Sequence, residues 1–188
     1  MSKKPEIIVF AGPNGSGKST ITKLAKVIEP YINADDIKRS IHCTDLEAAQ
    51  RAEQLRVEAI SHDISFTFET VLSTERNLKL LKTAKAKGYF IRCIYVLTCD
   101  PQINVARVKS RVLSGGHGVP HEKIISRYGK ALGLLPQLVE LCDICHIYDN
   151  SDEPCRIFKK RKEECFVWPS ALWSEEQIRT LVDCLQKP

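Results

Sequence analysis

The sequence contains no long hydrophobic run, no internal repeat and no low-complexity tract. No apolar segment approaches the ~18–20 residues that a membrane-spanning helix needs, so we expect no membrane span. The proportions of hydrophobic (43%) and charged (27%) residues are those of an average soluble globular protein. They exclude disorder, collagen-like repeats and a coiled coil as the main architecture. With 188 residues the chain is a little longer than one typical domain and is able to bury a core.

The chain also lacks a strong excess of one charge. Lysine and arginine exceed aspartate and glutamate by 28 to 23, which gives a net charge of +5, and the basic residues are spread along the sequence. This mild excess suits small anionic ligands such as phosphates and does not require nucleic acid. The first apolar run, residues 7–11, ends in a glycine-rich turn and has no signal-peptide pattern. We therefore expect a cytoplasmic protein.

Cysteine is frequent, with eight residues, but the features of a secreted, disulfide-rich chain are missing. Cys142 and Cys145 have C-x-x-C spacing and His146 follows them, a pattern typical of haem attachment, zinc binding or a redox pair. A second C-x-x-C is absent, and Ile144 and Ile147 indicate a strand at this point. We therefore expect reduced, buried thiols that pack as small apolar side chains.

Hydrophobic periodicity predicts strands that alternate with helices. Short apolar or β-branched runs predict strands at residues 6–11, 31–33, 65–69, 89–98 and 143–148. Helical spacing of apolar residues predicts helices at residues 19–29, 44–61, 73–87 and 101–113, and another that begins at Pro120. Strands joined by helices form parallel sheets covered on both faces, so we predict a three-layer α/β sandwich with a mostly parallel central sheet.

The pattern changes after residue 151, which divides the chain into a domain of residues 1–151 and a C-terminal appendage of residues 152–188. The appendage is predicted to form a hairpin from residues 155–158 and 165–168 and a helix over 174–185, packed on the first domain. The charged stretch 159–164 is either a nucleic-acid or targeting patch or a solvated hairpin tip. Two glutamates adjoin its four basic residues, which favours the solvated tip.

A phosphate-binding loop is the strongest signal in the sequence. Residues 12–19 fit G-x-x-x-x-G-K-[ST], between an apolar strand and an amphipathic helix. Glycines let backbone N–H groups turn inward around phosphate oxygens, and the helix N-terminus adds a favourable dipole. Lys18 is expected to reach the β- and γ-phosphates of ATP, and Ser19 to hold Mg²⁺. The predicted nucleotide-binding residues are Gly12, Pro13, Asn14, Gly15, Ser16, Gly17, Lys18, Ser19 and Thr20.

Other motifs of P-loop proteins are missing. We find no apolar run that ends in Asp-Glu or Asp-Asp, which motor-type ATPases carry, and no N-K-x-D motif, which GTPases carry. Residues 113–117 resemble the L-S-G-G-Q signature of ABC transporters, but an ABC domain needs a longer chain. The fold expected is therefore of the P-loop NTPase type, and the absences favour a small-molecule kinase.

Two strand ends carry candidate residues for binding or activating the molecule that accepts the phosphoryl group. Asp35 follows the second predicted strand, where it is either a base that accepts the proton of an attacking hydroxyl or the N-cap of the next helix. Glu69 and Thr70 end the third strand, where they either bind a hydroxylated substrate and water-coordinated Mg²⁺ or form an ordinary strand end with a capping threonine. Residue spacing leaves both alternatives open.

Three arginines frame the glycine-rich loop 115–120. Arg107 and Arg111 are four residues apart and share one helix face, and Arg127 follows the loop. Arginines beside a mobile loop are typical of a kinase lid, which closes over ATP and neutralises charge on the transferred phosphoryl group. The alternative is a solvated helix face, with His117 as an ordinary loop histidine.

In this order the motifs resemble the zeta-toxin family of P-loop kinases, over roughly residues 5–151. The chain is most similar to the short bacterial branch described as zeta-toxin-like or predicted ABC-type ATPase. The resemblance depends on an ordered set of segments, at residues 12–20, 32–35, 65–73, 107–112, 115–120, 127–128 and 148–151.

The resemblance implies an activity and a set of roles. Zeta toxins use ATP and Mg²⁺ to phosphorylate a sugar hydroxyl of UDP-N-acetylglucosamine, and the larger members are held by a small helical antitoxin. The catalytic aspartate of the family falls on Asp35, and its substrate-contacting glutamate falls on Glu69. The resemblance therefore favours the role of base for Asp35, and it makes a UDP-sugar and an antitoxin the expected partners.

The remaining family roles map onto the helices. The phosphate-contacting lid arginines fall most naturally on Arg111 and Arg127 and less directly on Arg107. A further substrate glutamate maps loosely to Glu58 or Glu53. This chain departs from the larger toxins after Glu69, where it has Thr-Val instead of Gly-Thr. The departure affects the sugar side of the site and leaves the ATP side intact.

The sequence therefore predicts an ATP-dependent kinase that phosphorylates a hydroxyl of a small molecule, a UDP-sugar. One alternative is an ATP-binding switch without acceptor chemistry, for which the basic tail with Trp168 and Trp173 would supply the partner surface. Another is a kinase for a different nucleotide-like acceptor.

Overall fold

A seven-stranded β-sheet forms the centre of the protein, in a computed structural model that describes residues 4–23, 25–116 and 118–182. The strand order is β2-β3-β1-β4-β5-β6-β7, with β1 to β5 parallel and the last two strands antiparallel. The mostly parallel α/β architecture predicted from the sequence is thereby confirmed. The strands are β1 (Glu6–Ala11), β2 (Tyr31–Ile32), β3 (Phe66–Thr70), β4 (Phe90–Leu97), β5 (Ile144–Asp149), β6 (Cys155–Arg161) and β7 (Glu164–Val167).

Helices connect the parallel strands and follow the hairpin. None in the described ranges is long and apolar enough to cross a membrane. The predicted helix that begins at Pro120 is divided in two at Leu134. The helices are α1 (Lys18–Thr22), α2 (Ala34–Ile41), α3 (Asp45–Ser61), α4 (Arg76–Ala86), α5 (Pro101–Leu113), α6 (His121–Gly133), α7 (Leu135–Leu141) and α8 (Glu175–Leu181).

The main hydrophobic core lies on one face of the sheet. Strands β1, β3, β4 and β5 bury side chains there against α3, α4, α7 and α8. Cys142 and Cys145 are free and buried in this core, as the sequence predicts, and their sulfur atoms lie with that of Cys93 within 4.8 Å of one another. A second, smaller cluster of Val105, Val108 and Ile124 packs α5 against α6. This small cluster sets the relative position of the two helices that carry the candidate arginines.

Residues 155–167 extend the central sheet. Strand β6 pairs with β5, and β7 pairs with β6, while α8 buries Ile178 in the main core. The stretch 159–164 is not all hairpin tip, because residues 159–161 belong to β6 and only Lys162 and Glu163 form the turn. Residues 183–185 of the predicted last helix lie outside the described residues. The division of the chain at residue 151 stays a prediction.

The segment that follows α1 is not helical as predicted. The helix ends at Thr22, and residues 25–30 form turns and irregular backbone; Leu24 lies outside the described residues. The backbone N–H of Ile28 donates to the Thr67 hydroxyl at 2.8 Å, and that hydroxyl donates to the Ile28 carbonyl at 2.8 Å. The tertiary hydrogen bonds with β3 therefore replace the helical ones, and they lead the chain into the edge strand β2.

This contact predicts a selective loss of stability in Thr67→Val. Valine keeps the shape of threonine and leaves two partly buried backbone groups of Ile28 without this partner, so the free energy of unfolding should fall by about 1–3 kcal/mol. The matched control is Thr83→Val, because the Thr83 hydroxyl donates to the Lys79 carbonyl on the exposed surface of α4. Urea denaturation should find a change below about 0.5 kcal/mol for the control. Equal losses in the two variants would contradict the role of Thr67.

Candidate active site

The phosphate loop joins β1 to α1 and needs glycine at two close approaches. Gly12 has a φ of 141°, and a Cβ there would lie 2.0 Å from the Val96 carbonyl oxygen. Gly17 has a φ of 92°, and its Cβ would lie 2.1 Å from Asn150 Nδ2. Both conformations are ones that other residues rarely adopt. The motif glycines are thus required by backbone shape and by the neighbouring side chains.

Two buried asparagines hold the loop from outside. Asn104 on α5 donates from Nδ2 to the Asn14 carbonyl at 2.7 Å, and its Oδ1 accepts a hydrogen bond from the Thr98 hydroxyl. Asn150, just after β5, donates from Nδ2 to the Ser16 carbonyl at 2.7 Å. Sequence reasoning did not single out either amide as a site residue. In the sequence, Asn104 is a polar residue within the apolar pattern of a helix, and Asn150 is a polar residue at the end of a strand. These two patterns could have identified them.

Lys18 is buried beneath the loop. Its ammonium donates to the carbonyls of Gly12 at 2.7 Å and Pro13 at 2.9 Å. Burial lowers the pKa of Lys18 to about 8, against the opposing effect of Glu69. The positive charge of Arg111 lowers this pKa further, and the negative charge of Asp35 raises it. The electrostatic coupling places these three ionisable groups around the lysine that is expected to contact phosphate.

Hydroxyl and carboxylate oxygens surround the same loop. Ser19 and Thr20 are exposed on the first turn of α1, and with Asp35 and Glu69 they line one cleft. Oxygen ligands of this kind are those that Mg²⁺ prefers, so the donor set fits magnesium. The Ser16 hydroxyl is buried without a hydrogen-bond partner among the described residues. It is a polar group that a phosphate oxygen would satisfy.

Asp35 lies in the first turn of α2, after the edge strand β2. The N-cap of α2 is Asn33, whose Oδ1 accepts a hydrogen bond from the Asp35 N–H at 2.9 Å. The alternative that Asp35 itself caps this helix is therefore wrong. Because Asn33 supplies the cap, the Asp35 carboxylate is free of that role and lines the cleft.

Glu69 is held by two residues of the β2 region. The Tyr31 hydroxyl donates to Glu69 Oε2 at 2.8 Å, and Asn33 Nδ2 donates to the same oxygen at 3.3 Å. Burial, followed by the negative charge of Glu69, raises the pKa of Tyr31. The phenol therefore stays protonated as a donor and orients the carboxylate at the end of β3.

Thr70 also lines the cleft, but its hydroxyl is engaged in the turn after β3. The hydroxyl oxygen accepts hydrogen bonds from the Leu72 N–H at 3.0 Å and from Asn77 Nδ2 at 2.8 Å. These contacts are those of a strand-end residue that stabilises the following turn.

The three candidate arginines lie across the loop from the carboxylates. Arg107 donates to the carbonyls of Asn150 at 2.6 Å and Ser151 at 3.1 Å, and Arg127 donates to Asn14 Oδ1 at 3.4 Å. All three arginines, Arg111 included, line the cleft. Of the predicted loop that they frame, Gly116 and Gly118 are described and His117 lies outside the described residues.

One cleft of about 680 Å³ brings most of the predicted site together, a volume within the usual range of ligand pockets. Gly12, Pro13 and Ser16 belong to the loop but are not in the cleft lining. The structure does not bring Glu58 to the cleft: it lies exposed on α3, where it accepts a hydrogen bond from Gln54 at 2.8 Å.

The alternative residue Glu53 pairs with Arg76 at 3.1 Å, and it too lies outside the cleft lining. The first turn of α3 lines the cleft instead, through Asp45, Ala48 and Ala49. Sequence reasoning missed this surface. The helical spacing of these three residues, directly after Thr44, could have predicted it. The structure contains the capping box that Thr44 forms.

A family comparison agrees with this geometry. The sequence model of the zeta toxin family matches residues 1–163. This protein belongs to the zeta toxin family. The match extends past the phosphate loop and all of the cleft, into the hairpin of β6 and β7.

Two relatives match 64% and 61% of this zeta toxin family member. An uncharacterised protein of Haemophilus influenzae is 34% identical over 127 residues, which are 64% of this chain and 91% of that protein. The zinc import ATP-binding protein ZnuC of a Chelativorans species is 30% identical over 115 residues, 61% of this chain and 34% of that protein.

Solved structures show the same fold at low sequence identity. The PezAT toxin–antitoxin system of Streptococcus pneumoniae matches with a TM-score of 0.62 at 18% identity, over 97% of this chain and 85% of that one. AvrRxo1-ORF1:-ORF2 with ATP matches with a TM-score of 0.73 at 13% identity, over 98% of this chain and 65% of that one. Family membership and a P-loop kinase fold support a kinase-type function.

The buried lysine predicts how ATP affinity depends on pH. Only the ammonium form of Lys18 attracts phosphate, and this group is half protonated at its pKa of about 8 in the free protein. The dissociation constant of Mg²⁺-ATP, measured by calorimetry, should therefore be constant below this pKa. Above it the constant should rise by about tenfold for each pH unit.

The control for this titration is Lys18→Met, which should bind ATP more weakly with no such dependence on pH. A wild-type dissociation constant that stayed unchanged up to one unit above the pKa of Lys18 would contradict the assignment.

Proposed function

We propose that this protein is an ATP-dependent kinase that transfers the γ-phosphoryl group of ATP to a hydroxyl of a UDP-sugar. The proposal is supported by one observation above all. A single cleft contains a phosphate loop with Lys18, three carboxylates and three arginines. These are the parts that in-line phosphoryl transfer needs, since its catalysis consists of positioning and charge stabilisation.

ATP binding is proposed at the phosphate loop and α1. Loop amides and Lys18 contact the phosphate oxygens, and phosphate satisfies the buried Ser16 hydroxyl. Ser19 is the proposed protein ligand of Mg²⁺, aided by the carboxylates of the cleft. When bound, the ion neutralises charge on the β- and γ-phosphates.

Asp35 is proposed as the general base that takes the proton of the attacking hydroxyl. Its position after the edge strand β2, with the helix cap supplied by Asn33, supports this role. The first turn of a helix is also a favourable place for a negative charge, because of the helix dipole.

The acceptor is proposed to lie between Asp35, Glu69 and the first turn of α3. This part of the cleft contains three carboxylates, those of Asp35, Asp45 and Glu69, which are suited to accept hydrogen bonds from a polyhydroxylated molecule. Tyr31 and Asn33 hold Glu69 in place for such a contact. The choice of a UDP-sugar follows from the resemblance to zeta toxins.

Arg111 and Arg127 are proposed to contact the transferred phosphoryl group. Arg107 is proposed to act indirectly, because its guanidinium donates hydrogen bonds to the backbone carbonyls of residues 150 and 151. An antitoxin is the proposed protein partner, which is supported by family membership and by the toxin–antitoxin system among the solved relatives.

Asp35→Asn should remove turnover and leave ATP binding intact. Asparagine keeps the size of the side chain and the Asn33 cap of α2, but it does not accept a proton at neutral pH, so the rate should fall by about 10²–10⁴. The experiment incubates wild type and variant with ATP, Mg²⁺ and a panel of UDP-sugars, nucleosides and dinucleotides. Mass spectrometry then identifies any panel member that gains a phosphoryl group.

The matched control is Asp36→Asn in the next position of the same helix. Asp36 pairs with Arg39 on the exposed surface, so its substitution should keep the wild-type rate. Near-normal turnover of Asp35→Asn would show that the base is assigned wrongly. ATP binding without any phosphorylated product would favour an ATP-binding switch instead.

The arginines should separate into two kinetic classes. Arg111→Ala should lower kcat by about 10³ with little change in the KM for ATP, because its contact strengthens as charge develops on the phosphoryl group. Arg107→Ala should mainly raise the KM for ATP, since it loosens the support of Asn150. The control Arg51→Ala alters a contact with Gln54 on the exposed face of α3. Steady-state kinetics that place Arg107 and Arg111 in one class would contradict this division.

A further inference from the structure

The two faces of the sheet are buried to different extents in β4 and β5. On the core face, Ile91, Cys93 and Tyr95 of β4 are fully buried, as is Ile147 of β5. On the opposite face most of the alternate residues are only partly buried, although Val96 of β4 is fully buried. These partly buried residues are Phe90, Arg92, Ile94, Ile144, His146 and Tyr148.

The hairpin continues this less buried surface. The register pairs His146 with Lys159, and Lys159 with Phe166, so the three side chains share one face. Arg156 lies opposite Tyr148 on the same face. We name this surface the open sheet face and define it by its aromatic residues Phe90, His146, Tyr148, Phe166 and Trp168 and its cations Arg92, Arg156 and Lys159.

The aromatic residues form two ring pairs on separate strands. His146 and Tyr148 stack on β5 with ring centroids 6.4 Å apart and an angle of 21° between the planes. Phe166 and Trp168, on β7 and just after it, stack at 6.2 Å and 21°. They remain 43% and 38% exposed. Because β6 lies between these strands, the two ring pairs are separated by about 10 Å.

The cations of this face lie over its rings. The Arg156 guanidinium is 4.5 Å from the Trp168 ring centroid, and the Lys159 ammonium is 5.7 Å from that of Phe166. Burial, and then the charges of Arg156, Lys159 and Arg92, lowers the pKa of His146 to about 4. Arg92 pairs with Glu6 at 2.9 Å, so Arg156 and Lys159 supply the positive charge of the open sheet face. A symmetric contact with a second copy of the chain would bring these like charges together.

We propose that the open sheet face binds single-stranded RNA. Aromatic rings on a sheet surface form platforms on which unpaired bases stack, and cations between them contact the phosphates of the chain. Here the two ring pairs flank β6, which carries Arg156 and Lys159. Bases stacked on the rings would therefore place the phosphate backbone of the RNA near these two cations. RNA is the occupant because its bases are regularly unpaired in loops and ends. This site is separate from the kinase cleft and does not depend on the proposed function.

The test measures binding of a fluorescein-labelled, unstructured RNA of ten nucleotides to the full-length protein by fluorescence anisotropy. Trp168→Ala and Phe166→Ala should each weaken binding about tenfold, because a stacking platform is lost. The matched control is Leu172→Ala, which removes an exposed apolar side chain outside the open sheet face. Circular dichroism and ATP affinity should be unchanged in all three variants.

The charged residues are tested by the salt dependence of the same binding. Arg156→Gln should weaken binding and reduce the slope of log K against log salt by about 0.7, the value for one phosphate contact with a single strand. Lys82→Gln removes an exposed charge on α4 and should change neither quantity.

Four outcomes would overturn the proposal. The first is the absence of RNA binding, and the second is binding that Lys18→Ala abolishes while Trp168→Ala leaves it intact, which would assign the RNA to the phosphate loop. The third is equal competition by polyglutamate, which would show that charge alone recruits an acidic partner. The fourth is tighter binding of the same sequence as single-stranded DNA.

Discussion

The attachment of the phosphate loop to the rest of the molecule is the constraint on which the site depends. Asn104 and Asn150 hold carbonyl groups of this loop from two different elements, and both amides are buried, so neither is replaced by water without cost. Two other carbonyls of the loop, those of Gly12 and Pro13, accept hydrogen bonds from the ammonium of Lys18. The helix that carries Asn104 also carries two candidate arginines. A shift of α5 would therefore move the loop and the arginines together.

The strand order explains why distant segments meet at this loop. The order β2-β3-β1-β4 places the ends of β2 and β3 on one side of β1 and the start of α5 on the other. Ligands of parallel α/β sheets bind beyond the carboxyl ends of the strands. Carboxylates and arginines that are far apart in sequence thus line one cleft at the phosphate loop. This arrangement permits a base and an acceptor on one side and charge neutralisation on the other.

Local patterns account for the elements that were predicted well. Helix α5 occupies residues 101–113 as expected, because Asp100 caps it and Pro101 begins it. The predictions failed where a tertiary contact competed with a local one. The helix after the phosphate loop stops at Thr22 because β3 binds the backbone of Ile28 through Thr67. Asp35 does not cap α2, because Asn33 two residues earlier adopts the extended conformation of an N-cap.

The α/β architecture, the phosphate loop and the candidate residues Asp35, Glu69 and the three arginines were predictable from the sequence, because short-range spacing indicates each of them. The tertiary structure alone decided that Asp45 lines the cleft while Glu58 lies on the exposed side of the same helix. It also decided that cations spread over 68 residues of chain, from Arg92 to Lys159, collect on one sheet face. Strand pairing brings together residues at any distance along the sequence, whereas sequence spacing indicates only which residues are neighbours within one helix or strand.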